Sequence, residues 1–143
     1  MRVGALRGLP QGGVVKFSIY LETAETAMVI FADDGQQFMT ATVCPPMGSP
    51  RAGKNEVWIK SWGANHGVLE ALIEAGIVTK LPVVCECGNA FATLCALTAE
   101  AIIARNEAFD ALPGLRDLQT KAYERRARLG LSPPPSQAQE QTR

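Results

Sequence analysis

The sequence predicts an α+β fold: an antiparallel sheet packed against one central helix and two C-terminal helices. Three observations carry that expectation. Residues 14–21 alternate apolar and polar; residues 55–78 (NEVWIKSWGANHGVLEALIEAGIV) read as a strand, a turn and an amphipathic helix; and residues 79–97 fold about Gly88-Asn89 before the pattern turns helical.

Within 14–21, Val15, Phe17, Ile19 and Leu21 share one side and Lys16, Ser18 and Tyr20 the other, as in an outer strand half in water. Residues 27–32 are apolar on both sides, Val29 and Phe31 against Met28 and Ile30, which suits a strand flanked by neighbours and covered on both faces. Asp33-Asp34-Gly35-Gln36 supplies turn chemistry, and residues 38–43 return as a third strand, so the first third reads as a three-stranded meander. Cys44-Pro45-Pro46 removes two backbone donors, and Gly48, Pro50 and Gly53 keep the chain irregular to Lys54.

Alternation resumes over 56–60, with Val57 and Ile59 facing one way and Glu56, Trp58 and Lys60 the other. Asn65 is the expected N-cap of the central helix, whose apolar stripe is Val68, Leu69, Leu72 and Ile73 with Glu70 and Glu74 outside. Gly76 suits the left-handed position that ends a helix, and Ile77 is placed to fold back onto Leu72.

Residues 79–87 and 90–97 read as a hairpin, although the alanines of the second arm also permit helix. Thr98 caps a helix running to Ala111, with Glu100 in its first turn and Ala99, Ile102, Phe109 and Leu112 as its stripe, until Pro113-Gly114 breaks it. Residues 115–129 form the last helix, with Leu115, Leu118 and Ala122 inward and cations near its C-terminus. The expected organisation is one α+β domain over 1–130 and a disordered tail over 131–143, where SPPPSQAQEQTR has nothing to bury.

At 143 residues and 47% apolar content, the chain has no run near the roughly 18 apolar residues of a membrane span. MRVGALRGLPQGG lacks the apolar core of a signal peptide, so a cytoplasmic location with no membrane partner is the expectation. The net charge of zero removes the broad attraction that underlies non-specific nucleic-acid binding. The charge is nonetheless segregated: residues 17–50 hold Glu22, Glu25, Asp33 and Asp34 with no cation, while the C-terminal part holds Arg116, Lys121, Arg125, Arg126 and Arg128.

Cys44, Cys85, Cys87, Cys95 and the one histidine, His66, are the natural test for a metal or thiol site. A two-residue hairpin turn sets Cys87 opposite Ala90, Cys85 opposite Ala92 and Cys95 opposite Pro82, so Cys95 points away from the other two. A closed zinc site needs about four ligands, and the cysteines read first as small buried apolar side chains. A zinc-binding domain or a Cys-His enzyme built on Cys85, Cys87 and His66 stands as the alternative. Glu70 and Glu74 solvate one helix face, Asp33 and Asp34 serve the turn, and Gly12-Gly13 precedes a strand rather than opening a phosphate-binding helix. No catalytic residue and no cofactor is assigned.

Binding surfaces are the stronger expectation. Trp58 projects opposite the Val57/Ile59 side and Trp62 lies in the adjoining turn; exposed aromatics are frequent interface anchors. With Asp33 and Asp34 they make up a candidate protein-binding patch. Arg125, Arg126 and Arg128 form a basic face suited to an acidic partner or, as a further alternative, to nucleic acid. A homodimer is also compatible with these surfaces.

The string NEVWIK, a short polar turn and N-x-x-x-LEALIEAGIV, followed by VVCECGNAFATLCALT and preceded by the strand pair around DDGQ, resembles a family of small uncharacterised domains carried by bacterial plasmids, conjugative elements and phages. The likeness covers residues 14–98. It implies a non-enzymatic accessory protein of a mobile genetic element, of the kind that counters host defence. An anti-CRISPR or antirestriction inhibitor masking a surface of a host protein or ribonucleoprotein complex is the corresponding expectation, and local contact fits the zero net charge better than wholesale mimicry of nucleic acid.

Overall fold

The computed structural model describes residues 1–130; the tail expected over 131–143 lies outside them. Among the described residues seven strands and three α-helices follow one another as β1 (Arg2–Val3), β2 (Gly13–Ile19), β3 (Thr26–Phe31), β4 (Gln37–Thr40), β5 (Glu56–Ile59), α1 (Val68–Glu74), β6 (Val78–Cys87), β7 (Ala90–Leu97), α2 (Ala99–Ala111) and α3 (Pro113–Arg128). The strands make two antiparallel sheets, in the orders β1-β2-β3-β4 and β5-β7-β6. The fold is α+β.

The two sheets are spliced at Thr42, which bridges Ile59. Just past β4, the Ala41 N–H still donates to the Met28 carbonyl of β3, while the Lys60 N–H donates to Ala41 and the Val43 N–H to the Trp58 carbonyl, each at 2.9 Å. The chain thus leaves one sheet and enters the other without breaking its backbone pairing.

In β2, Val15, Phe17 and Ile19 point into the core as the alternation requires. Leu21 does not join them: the strand ends at Ile19, the chain turns, and Leu21 is 41% exposed. Nor is β2 the outermost strand, because β1 pairs with it through Arg2 opposite Val14 and Val3 opposite Gly13. The return from β1 depends on Gly12, held at φ +74, where a Cβ would collide with the Val3 carbonyl.

The central helix starts later than its sequence suggests. Asn65 closes a 3₁₀ turn, Gly63–Asn65, and its buried amide donates to the Thr40 carbonyl at 2.7 Å, so the N-cap of α1 is Gly67. Val68, Leu69 and Leu72 are buried, each burial contributing on the order of 1.5–3 kcal/mol, whereas Ile73 is 41% exposed. The end matches expectation: Gly76 takes φ +73, its N–H bonds the Ile73 carbonyl, the Ile77 N–H bonds Leu72 at 3.0 Å, and Ile77 is buried.

The hairpin is a strand pair along both arms, with Cys87 opposite Ala90 and Cys85 opposite Ala92. Its register then shifts, and Cys95 faces Lys80 rather than Pro82. Pro82 has no N–H to give a ladder, and residues 81–83 bulge against the single residue Leu94. The slip is by two, so Cys95 keeps the opposite face from Cys85.

Thr98 caps α2 by accepting the Ala101 N–H at 3.2 Å and donates its own hydroxyl to the Gly76 carbonyl at 2.7 Å, tying the two helix ends together. The buried stripe of α2 is Ala101, Arg105 and Phe109, while Ala99 and Leu112 are exposed. Arg105 is tolerated there because its guanidinium is spoken for: Nη1 donates to the Lys54 carbonyl at 2.6 Å and Nη2 to Asn55 Oδ1 at 2.8 Å. Pro113 opens α3, which buries Ala122 and half-buries Leu115 and Leu118.

Two cores result, one on each face of the β5-β7-β6 sheet. The larger joins Val57, Ile59, Cys95 and Leu97 to Phe17, Met28, Val68, Leu72 and Phe109. The smaller gathers Trp58, Cys85, Ala92 and Leu94 under Ala52 of the 44–54 loop.

Candidate functional site

The residues singled out by the sequence fall on separate elements and do not converge. Trp58 is 2% exposed and cannot be a surface anchor: the 44–54 loop covers that face of β5, and the indole Nε1–H is buried without a hydrogen-bond acceptor. Trp62 packs half-buried at the edge of the same core, with the Lys60 ammonium 5.7 Å from the ring centre. Asp33 and Asp34 are exposed in the turn after β3. There Asp34 Oδ1 accepts the Gln36 N–H at 2.9 Å, and Asp33 pairs with Arg2 at 2.7 Å, which lowers the Asp33 pKa.

His66 is exposed before α1, and among the described residues no three His, Cys, Asp or Glu side chains gather as metal ligands, so Cys85, Cys87 and His66 do not form the zinc grouping that stood as the alternative. Burial pushes Cys95 up to about 12 and raises Cys44 and Cys87 as well.

Of the basic face, Arg125 and Arg128 are exposed, but Arg126 is 4% exposed and points inward. Its Nη1 donates to the Thr23 carbonyl at 2.6 Å, and burial lowers its pKa. It is an anchor of α3, not part of a solvent-facing surface.

Arg126 belongs to a buried polar cluster that periodicity does not reveal. Glu25, 3% exposed, accepts the Ala52 N–H on Oε2 at 2.6 Å and lies 3.3 Å from Arg51 Nη1 through Oε1. That last contact is an ion pair without hydrogen-bond geometry, since Nη1 has no acceptor properly aligned. Arg51 Nη2 donates to the Pro45 carbonyl at 2.8 Å, and the Cys44 thiol lies 3.6 Å from the Thr23 hydroxyl. The cluster therefore joins the 20–25 turn, the 44–54 loop and α3.

The joint creates a surface feature. An open cleft of about 370 Å³ lies between the 20–25 turn and α3, lined by Leu21, Leu118 and Ala122 and rimmed by Lys121, Glu124, Arg125 and Arg128. Lys121, Arg125 and Arg128 recur at i, i+4 and i+7, so one helix face carries all three cations. Leu21 contributes because β2 stops before it and Arg126 draws α3 onto the turn. The sequence marks Arg125 and Arg128 as part of a basic face but sets Arg126, not Lys121, beside them; the leucine is hidden by its place in the alternation of the strand.

Comparison of the chain with family models, with curated proteins and with solved structures finds no match.

Proposed function

We propose that the protein acts by binding, without catalysis of its own, and that the cleft on α3 is where it meets a protein or ribonucleoprotein partner. The observation that carries this reading is the pairing of an apolar floor (Leu21, Leu118) with three cations on one helix face. Such a surface fits an acidic segment that presents one apolar side chain: the floor receives the side chain and the cations favour the approach and the register. A nucleic-acid partner would use the same cations but would leave the leucine floor unused.

That the partner is a host defence complex, and the protein an antirestriction or anti-CRISPR inhibitor carried by a mobile element, rests on the family resemblance of residues 14–98. The test is the plating efficiency of a targeted phage on a host with an active CRISPR or restriction system. Expression of the protein is expected to raise it, and Arg125→Glu/Arg128→Glu, at exposed positions that leave the fold intact, to abolish the rise. No rise on any defended host removes the inhibitor reading; a rise that survives the double substitution removes the cleft. If nucleic acid is the ligand instead, three neutralised phosphates give a salt slope of about −2.7 on duplex DNA.

A further inference from the structure

We propose that Cys85 and Cys87 form a two-thiolate site for a soft monovalent cation of the copper(I) type, independent of the cleft on α3. Both are unpaired cysteines of β6, two residues apart and therefore on one face of the strand. Both pack in the Trp58 core, Cys85 buried and Cys87 half-buried, so one sulfur is enclosed and the other gives a route in for the ion.

The number and spacing of the thiols select the ion. In a strand the two Cα atoms are about 6.6 Å apart and the side chains leave in parallel, whereas a disulfide brings the two Cβ atoms to about 3.8 Å. A sulfur–metal–sulfur bridge with bonds of about 2.3 Å spans about 4.6 Å, within reach of parallel side chains that lean together. No third His, Cys, Asp or Glu completes the set among the described residues. Two thiolates and nothing more suit a soft ion content with two ligands, and they leave zinc short of its four.

The surroundings suit the charge of the complex. Two neutral thiols and Cu⁺ give a bis-thiolate complex of charge −1 and release two protons. The Trp58 Nε1–H, a buried donor without an acceptor, sits in the same core as the two sulfurs. A thiolate there adds a charged acceptor to the core that holds this unpartnered donor.

The test is anaerobic titration of the purified chain with copper(I), supplied as its acetonitrile complex, against the chelator bathocuproine disulfonate. One copper per chain is expected, with Cys85→Ser and Cys87→Ser each weakening retention more than about 100-fold, beyond what loss of an outer-shell partner does, and Cys44→Ser leaving it unchanged. Cys87 is half-buried, so Cys87→Ser keeps the fold, as far-UV circular dichroism verifies. On the unaltered protein, X-ray absorption at the copper edge should show two sulfur neighbours. No retained copper, retention in the Cys85→Ser/Cys87→Ser double variant, a copper shell with a third sulfur or a nitrogen, or stoichiometric zinc after dialysis would each overturn the site.

Discussion

Arg126 and Thr23, 103 positions apart, are joined by a 2.6 Å hydrogen bond from the guanidinium Nη1 to the main-chain carbonyl. Both residues are buried. The bond fixes α3 against the turn that follows β2, and so sets the distance between Leu21 and the helix face that bears Arg125 and Arg128.

Arg126→Met keeps the length of the side chain and removes the donor. It leaves the Thr23 carbonyl buried and unsatisfied, which costs about 1–3 kcal/mol. The denaturant midpoint is expected to fall accordingly, and backbone amides of α3 to lose protection from hydrogen exchange before those of β2 and β3. An unchanged midpoint would mean that apolar packing by Leu115, Leu118 and Ala122 alone holds the helix.

Glu25→Gln preserves volume and leaves the Arg51 cation buried without its counter-charge. Breaking a buried pair in this way costs about 3–5 kcal/mol. Because Glu25 also holds the Ala52 N–H at 2.6 Å, the 44–54 loop is expected to loosen. Limited trypsin digestion reads this directly: cleavage after Arg51 should appear in the variant at protease levels that leave the unaltered chain uncut. Equal resistance in both would show that Glu25 is not the tie.

Cys95 makes the fold sensitive to alkali. Burial raises its pKa from 9.0 to about 12, so the folded state keeps the thiol proton where the unfolded state releases it. Stability from this source is intact below about pH 9 and declines by up to about 1.4 kcal/mol per pH unit above it, until the folded thiol itself ionises. Cys95→Ala, less stable at pH 7 through loss of the sulfur, is expected to close the gap with the unaltered protein between pH 9 and pH 10.5. Parallel stability curves for the two chains across that range would refute the attribution to Cys95.

Elements whose sequence signal is local were legible. The Gly88-Asn89 hairpin and the Gly76-Ile77 helix end each depend on neighbouring residues, and both form as the sequence implies. Residues whose environment is made by an irregular segment were not. Alternation correctly put Trp58 opposite Val57 and Ile59, but gave no sign that a loop without periodicity would cover it. Arg126 reads as solvent-facing because charge usually marks an outer face, and periodicity says nothing of the burial of Glu25 and Arg105. Their partners are main-chain groups and side chains in turns and loops: Ala52, Arg51, Lys54, Asn55 and Thr23. Asn65 was misread similarly, since its amide serves the Thr40 carbonyl rather than the nearest helix. For the α3 cleft, Arg125 and Arg128 could be foreseen, whereas Arg126 proved buried and Lys121 and the leucine opposite were not part of the expected face.

The bulged strand β6 has a bearing on how the chain behaves in a crowd of its own kind. Among the described residues its outer side borders no other strand, and ten residues of open ladder are a template on which identical chains can stack. A strand arriving there meets the exposed charges of Lys80 and Glu86 along a backbone already distorted at residues 81–83. The bulge that costs the hairpin its regular register is thus also its guard against fibril growth, and a Pro82→Val chain, free to straighten it, should reach its solubility ceiling at a lower concentration than the natural one.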